Sequence, residues 1–397
     1  MTLFSWALWI LAIPPLFASA YLLLLALASR RRAVLGTAPA ALRFDLIVPA
    51  HDEESGIART VQSLLALEYP PQMRRVIVVA DNCSDATAVR AEAAGASVLV
   101  RNDVSRRGKG HALAFAFEHS LKSGFAHAVV VVDADSVVPP GLLGAFVARL
   151  QRGALAVQSG AAVLNLHDSW RTRLMALGLS LFNALRSLAR ENLELSCGLR
   201  GNGMCLSTLL LRARPYDAFS LVEDVEYGVE LGRAGIRVHY ADEVKVASAM
   251  VSSGKAASSQ RRRWELGRLE LARRLALPLL SHALRRRSAI LLDLAVDLLV
   301  PPLSYLALAI AAGCAASLAV WRAGTGSAAA LTVWLISAFF VSVYVLRGWQ
   351  LSGIGLRGLS ALAAAPFYAL WKFGVLARRV SASGGEWVRT ARDEASP

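Results

Sequence analysis

The sequence predicts an α/β fold: a largely parallel sheet with helices on both faces, set between hydrophobic helices toward the two ends of the chain. Three observations carry that prediction. Short β-branched runs alternate with helical stretches from about Arg43 to Ser248, the βαβα order of a parallel sheet. No side chain from Met1 to Ser29 is charged. Two further charge-free runs, Leu298–Trp321 and Ala323–Leu346, lie in the last third.

Composition agrees. Of 397 residues, 55% are hydrophobic and 18% charged, against roughly 45–50% and about 25% in soluble domains. Met1–Ser29 is long enough to cross about 30 Å of hydrocarbon, and Arg30, Arg31 and Arg32 follow at once. Ala18-Ser19-Ala20 resembles a signal-peptide cleavage site, but no basic residue precedes the apolar run, so an uncleaved anchor is the preferred reading. Gly358–Trp371, 14 charge-free residues, suits an interfacial or re-entrant helix better than a span. Arg30–Arg32, Arg285–Arg287 and Arg378 with Arg379 flank these segments. Positive-inside bias puts such clusters in the cytoplasm, which three spans with an external N-terminus satisfy. A fourth span would export the basic tail. Asp293 and Asp297, one turn apart before the second span, read as headgroup-level carboxylates or as the lining of a polar path.

The formal net charge of +14 does not imply nucleic acid. Most basic clusters border membrane segments, and no nucleic-acid-binding motif accompanies them. Cys83, Cys197, Cys205 and Cys314 have neither paired metal spacing nor a disulfide framework.

In the middle of the chain, Phe44–Val48, Arg75–Ala80 and Ala128–Val132 read as buried strands. Gly56–Leu67, Thr87–Ala94 and Gly110–Lys122 read as helices between them. Ligands of such sheets bind beyond the carboxyl ends of the strands. Polar residues gather there: His51, Asp52 and Glu53 after the first strand, Asp81–Asp85 after the second, Asp133 and Asp135 after the third. Ser252–Ser259 is the only flexible-looking joint.

Asp133 and Asp135 put two carboxylates in one turn, a hard-oxygen setting for a divalent cation whose shell phosphates can complete. A helix-capping turn is the plainer alternative; three acidic strand ends on one sheet favour the cation. Arg107-Gly108-Lys109-Gly110 opens a helix, where glycines let backbone approach an anion and the lysine adds charge. A basic turn explains it equally well, and the spacing is not that of a Walker A loop. Glu223 and Asp224 lie on an amphipathic stretch, Asp224 being either a general base or an acid at a helix N-terminus. Gln260 stands 36 positions after Asp224 and opens Gln-Arg-Arg-Arg-Trp. There Arg263 offers a fork for phosphate, and Trp264 an apolar face that sugars and lipid interfaces both use.

In combination these residues resemble the membrane-bound glycosyltransferases of family two, the group of cellulose, chitin and hyaluronan synthases and ceramide glucosyltransferase. Their pattern runs from a nucleotide-binding Asp through Asp-x-Asp and a Glu-Asp base motif to Gln-x-x-Arg-Trp. Asp81, Asp133 with Asp135, Asp224, and Gln260 with Arg263 and Trp264 match it in order, across roughly residues 43–275.

The resemblance implies a GT-A fold, a nucleotide-sugar donor (a UDP-sugar foremost) and Mg2+ or Mn2+. It implies that His51, Glu53, Asp81 and Lys109 lie along the nucleotide, Asp133 near the ribose, and Glu223 in the same substrate site. Asp135 would hold the metal, Asp224 would deprotonate the acceptor hydroxyl, and Gln260 would complete the catalytic set. Arg263 would stabilise the departing diphosphate, and Trp264 would floor the acceptor site. Gly201-Asn202-Gly203-Met204 borders the acceptor or is a structural turn. The Glu386–Arg392 tail gates the site or lies on the bilayer.

The expected layout follows. Residues 1–42 are an anchor and basic linker, 43–255 the cytoplasmic catalytic domain, and 256–287 interfacial helices carrying Gln-x-x-Arg-Trp. Residues 288–347 are two membrane helices and 348–397 an interfacial helix with a basic tail. The expected place is the cytoplasmic (inner) membrane, with membrane lipids around the spans and a lipid or glycan acceptor in envelope or exopolysaccharide assembly. Three spans are few for a polymer channel, so an oligomer, an export partner or single-sugar addition is implied. A catalytically silent nucleotide-sugar-binding regulator or scaffold is the alternative. Such a protein would be expected to lack Asp135, Asp224 or Arg263, and all three are present.

Overall fold

The computed structural model describes residues 3–31, 35–36, 38–250, 254–325 and 328–363, with backbone alone at 3–5, 254–264 and 361. Gly358–Trp371 is therefore seen only in part, with Leu356–Ala363 helical. Arg378, Arg379 and the Glu386–Arg392 tail lie outside the described residues.

Eight strands are present among the described residues: β1 (Phe44–Ala50), β2 (Arg74–Asp81), β3 (Ser97–Arg101), β4 (Ala128–Val131), β5 (Ser136–Val137), β6 (Ala156–Val163), β7 (Met204–Ser207) and β8 (Val238–Ser248). They form one sheet in the order β3-β2-β1-β4-β7-β6-β8-β5. The first four in that order are parallel neighbours, as is the pair β6 and β8. β7 runs against both β4 and β6, and β5 against β8. The parallel expectation thus holds for the first half, and the whole sheet is mixed. β7 enters at the carboxyl end of β4, where the Gly203 amide donates to the Val131 carbonyl at 2.9 Å. From there it can only run backward.

Side chains alternate across the sheet with the two-residue period of a strand. Leu46, Val48, Val76, Val78 and Val130 pack with Ile57, Val61, Leu142 and Phe146 on one face. Ile47, Val79, Val129 and Val131 pack with Leu113 and Phe117 of the Lys109–Ser123 helix on the other. That second core continues into Leu22, Leu25, Ile310, Trp334 and Tyr344.

Among the described residues, three helices are long and apolar enough to cross a membrane: Trp6–Ala28, Leu303–Arg322 and Ala328–Ser352. The second starts later than the charge-free run because Pro301 and Pro302 separate it from an Ala289–Leu299 helix, proline having no amide to continue the ladder. Asp293 and Asp297 sit on that shorter helix, and they are enclosed by protein. They are 6% and 8% exposed, buried by arginines from the distant Arg186–Asn192 helix. The described part of Ser252–Ser259 is likewise no open joint. From Gly254 onward it belongs to a helix running to Arg286.

Candidate active site

The site is built where β1, β2 and β4 end. His51 Nδ1 meets the Asp81 carbonyl at 2.7 Å, and the Glu53 amide donates to Thr87 Oγ1 at 2.7 Å, tying the two loops together. Asp81 is 6% exposed and accepts from Arg101 at 2.6 Å and from Asn82 Nδ2 at 2.9 Å. Burial pushes its carboxyl above the ordinary range, with Arg101 opposing. Arg101 ends β3, so its place at a carboxyl strand end was the available signal, and sequence reasoning missed it. Nearby, His111 stacks on Phe219 with centroids 4.2 Å apart.

A second group forms around Lys109. Its Nζ donates to Asp133 Oδ1 at 2.5 Å and to the Gly201 carbonyl at 2.6 Å, and lies 4.0 Å from Glu223 Oε1. Burial alone would lower the lysine's pKa, but Asp133 and Glu223 more than offset it, so it stays cationic. A methyl group added at Gly201 would stand 3.1 Å from Asp224 Oδ2 and 3.3 Å from Lys109 Nζ. Asp133, Glu223 and the Gly201 carbonyl therefore gather around the Lys109 ammonium, with Asp224 beside the same glycine. Gly110 serves packing rather than an open approach, since a Cβ there would meet the Ala218 carbonyl at 2.2 Å.

Glu223 and Asp224 begin the Glu223–Arg233 helix, whose N-terminal amides favour negative charge. Burial lifts Glu223 to about 7, with the Asp224 charge adding to the rise and Lys109 opposing it. Asp224 is raised as well, by burial first.

Asn202 is the residue that braces this arrangement. Its Oδ1 accepts from the Asp133 amide at 3.1 Å, and its Nδ2 donates to Ser136 Oγ at 2.9 Å and Ser248 Oγ at 3.1 Å. Ser136 Oγ in turn donates to Asp135 Oδ1 at 3.2 Å. The turn needs glycine at 203, where φ is +67° and an added Cβ would fall 2.0 Å from Ser159 Oγ. The Gly201–Gly203 segment is thus a strut under the Asp133–Asp135 turn and a neighbour of Asp224 at once.

Gln260, Arg263 and Trp264 lie on the Gly254–Arg286 helix, and their side chains are outside the described ones. The helix itself reaches the site at Gly267, where a Cβ would come 2.9 Å from Val222 Cγ1, the residue before Glu223.

Among the described residues, two places offering oxygen ligands to a cation stand out. Asp135 presents a half-buried carboxylate at the end of β4, a hard donor that fits Mg2+ or Mn2+. Asp52, Cys83 and Asp85 bring one ligand atom each within 4.8 Å of one another. Their oxygens already accept protein hydrogen bonds, from the Ser84 amide to Asp52 at 2.6 Å and from the Thr87 and Glu54 amides to Asp85 at 2.9 and 3.2 Å. Burial also pushes the Cys83 thiol up, keeping it protonated. Asp135 Oδ1 likewise accepts a bond, from Ser136 Oγ; what favours it is an all-oxygen donor without a protonated thiol beside it.

The fold recurs in solved structures. The mannosyltransferase PcManGT from Pyrobaculum calidifontis, in complex with GDP-Man and Mn2+, is 20% identical with a TM-score of 0.55, over 92% of this chain and 99% of that one. TarS from S. aureus in complex with UDP-GlcNAc is 17% identical over 60% of this chain and 66% of that one, with a TM-score of 0.42. Glucosyl-3-phosphoglycerate synthase from Mycobacterium tuberculosis, in complex with Mn2+, UDP and phosphoglyceric acid, is 21% identical over 57% and 77%, with a TM-score of 0.39. No curated protein is significantly similar in sequence. The sequence profile described as glycosyltransferase like family 2 matches residues 40–267, more than half of the chain. With its GT-A-type sheet and its acidic strand ends, the chain belongs to that glycosyltransferase family.

Proposed function

We propose that the protein is an inverting, metal-dependent glycosyltransferase of the cytoplasmic membrane, moving a sugar from a nucleotide-sugar onto a hydroxyl of a lipid or lipid-linked glycan. The observation that carries this reading is the gathering of Asp133, Glu223 and the Gly201 carbonyl around Lys109 Nζ, with Asp224 beside Gly201. A carboxylate with a raised pKa beside a fixed cation is what a general base needs. In this reading His51, Glu53 and Asp81 line the nucleotide and Asp133 the ribose. Asp224 takes the proton of the acceptor hydroxyl. The acceptor oxygen bonds to the anomeric carbon as that carbon's bond to the diphosphate breaks, and the nucleoside diphosphate leaves with the electron pair. Lys109 and Arg263 balance the charge that builds on it, with Gln260 and Trp264 shaping the acceptor side. Asp135 would hold Mg2+ or Mn2+, which when bound neutralises diphosphate charge. Residues 43–255 act as the catalytic domain, 256–287 as the interfacial segment, and the three apolar helices span the bilayer with the arginine clusters on the cytoplasmic side.

The base must be ionised, so kcat is expected to rise with pH through the range where the Glu223–Asp224 pair titrates, which lies above the ordinary carboxylate range because burial raises both groups. Glu223→Gln removes the like charge and should move that acid limb to lower pH; a pH–rate profile that does not move speaks against the pairing.

Asp135→Asn is expected to abolish the Mn2+-dependent gain in donor affinity, measured by titration calorimetry with UDP- and GDP-sugars. Wild-type binding that ignores chelation would contradict the metal assignment.

A further inference from the structure

Where the apolar helices join the catalytic domain, the guanidiniums of Arg186, Arg190, Arg200 and Arg268 gather around two carboxylates, Asp293 and Asp297. Arg190 donates to Asp293 at 2.7 Å and to Asp297 at 2.8 Å, and Arg186 donates to Asp297 at 2.8 Å. Those two arginines are 2% and 5% exposed and take up both acids. The other two are left short. Arg268 has a third share of Asp297, at 3.3 Å, with a further bond to its carbonyl. Arg200 donates to the Cys197 carbonyl at 3.2 Å, and its buried Nε has no hydrogen-bond partner among the described residues.

Arg200 and Arg268 lie over the same ring, that of Phe182, with centroid distances of 4.5 and 5.2 Å. Arg186 shares it at 5.0 Å. The crowding is felt: burial lowers the pKa of Arg200, and repulsion from Arg190 lowers it further. At Arg268 burial acts first, and Arg186 and Arg190 work against the relief that Asp297 gives. Against the larger effect of burial, Asp224 feels the Arg200 charge, which lowers its pKa, but the two form no ion pair among the described residues. Arg200 and Arg268 thus depend for opposite charge on Asp297, which Arg186 and Arg190 already share, and burying an incompletely neutralised charge is costly.

Position adds to the argument. Arg200 precedes Gly201, which lies against Asp224. Phe182 belongs to a π-helical turn, Ser180–Leu185, a feature that clusters at functional sites. That turn is fastened to the last apolar helix by Ser180 Oγ donating to the Gly348 carbonyl and Tyr344 donating to the Leu181 carbonyl, both at 2.7 Å. Both arginines remain partly open, Arg268 at 18%.

We propose that Arg200 and Arg268 clamp the phosphate of the acceptor, so that the acceptor is a hydroxyl-bearing anionic lipid. Two planar forks match a phosphate group, and the lipid's hydroxyl would then stand beside Asp224. The proposal rests on the transferase reading above and names its acceptor class.

The test uses detergent-purified full chain and mixed micelles of dioleoylphosphatidylglycerol, dioleoylphosphatidylcholine or dioleoylglycerol, with inorganic phosphate as the soluble arm. Binding is read by tryptophan fluorescence, and Mn2+-dependent donor binding is measured in the same samples. Phosphatidylglycerol is expected to bind at least roughly ten-fold more tightly than the other two lipids. R200Q/R268Q should erase that preference and leave donor binding intact. Should the double variant not fold, R268K decides: it keeps the charge without the fork, and phosphatidylglycerol binding equal to wild type overturns the clamp. So does a wild type without preference, or a folded double variant that keeps it. Inorganic phosphate binding as tightly as the lipid would make this a soluble-anion site and overturn the lipid assignment. Absent donor binding in the wild type would count against the transferase reading instead, while the lipid titration still judges the clamp.

Discussion

Asp224→Asn is expected to lower kcat for sugar transfer by roughly 10²–10⁴-fold, the contribution of a positioned general base, with donor affinity retained. Asparagine has the same shape but accepts no proton at neutral pH. Its oxygen can keep the hydrogen bond that the Val225 amide now gives Asp224 Oδ1 at 2.8 Å, and it fits beside Gly201 as the carboxylate does. Lys109 keeps Asp133 and the Gly201 carbonyl, so the donor side of the site is unchanged. Removing the Asp224 charge also lowers the pKa of Glu223, which that charge helps to raise. Residual activity in the variant should therefore fall again in a Glu223→Gln background if Glu223 stands in as a weaker base. Single-turnover kinetics with calorimetric donor binding separate the two quantities. Full activity in Asp224→Asn would remove the base assignment.

Asp297→Asn should be the most destabilising single change in the described chain, costing roughly 3–5 kcal/mol, the range for breaking a buried ion pair from one side. The carboxylate serves Arg186, Arg190 and Arg268 together. Burial alone would raise its pKa, but Arg190, Arg268 and Arg186 hold it well below the ordinary carboxylate range. A depressed pKa gives stability that is present above the unfolded value of about 3.9 and is lost as pH falls through the folded one. Thermal unfolding in detergent should show that acid loss in the wild type and a shallower one in Asp297→Asn. Glu118→Gln, at an exposed pair with Lys122, is the control and should leave the midpoint unmoved. Equal midpoints for Asp297→Asn and wild type would mean the cluster is solvated.

The parts of this protein that could be read from sequence are those whose signal is local. β1, β2 and β4 were legible because strands covered on both faces are continuous β-branched runs, and each ends in carboxylates. Asp81, Asp133 and Asp135 were placed by the same rule, and the Glu223-Asp224 pair by its amphipathic stretch. β6 was not, because Ala156–Val163 is rich in small residues around Gln158 and kinks between Ser159 and Gly160. Asn202 was seen only as part of a glycine turn. Its role depends on Ser136 and Ser248, 66 and 46 positions away. The burial of the Asp293–Asp297 pair was not legible for the same reason. Its arginines lie 103 and 111 positions upstream, and no periodicity links a charge to a partner at that distance.

The most direct test of the transferase assignment is nucleotide release by the detergent-purified protein, with Mn2+ and a panel of UDP- and GDP-sugars, with and without a lipid extract. Release that requires metal, selects one donor and is stimulated by lipid is the predicted result. Metal-dependent donor binding without release under any acceptor would contradict it and favour a nucleotide-sugar-binding regulator.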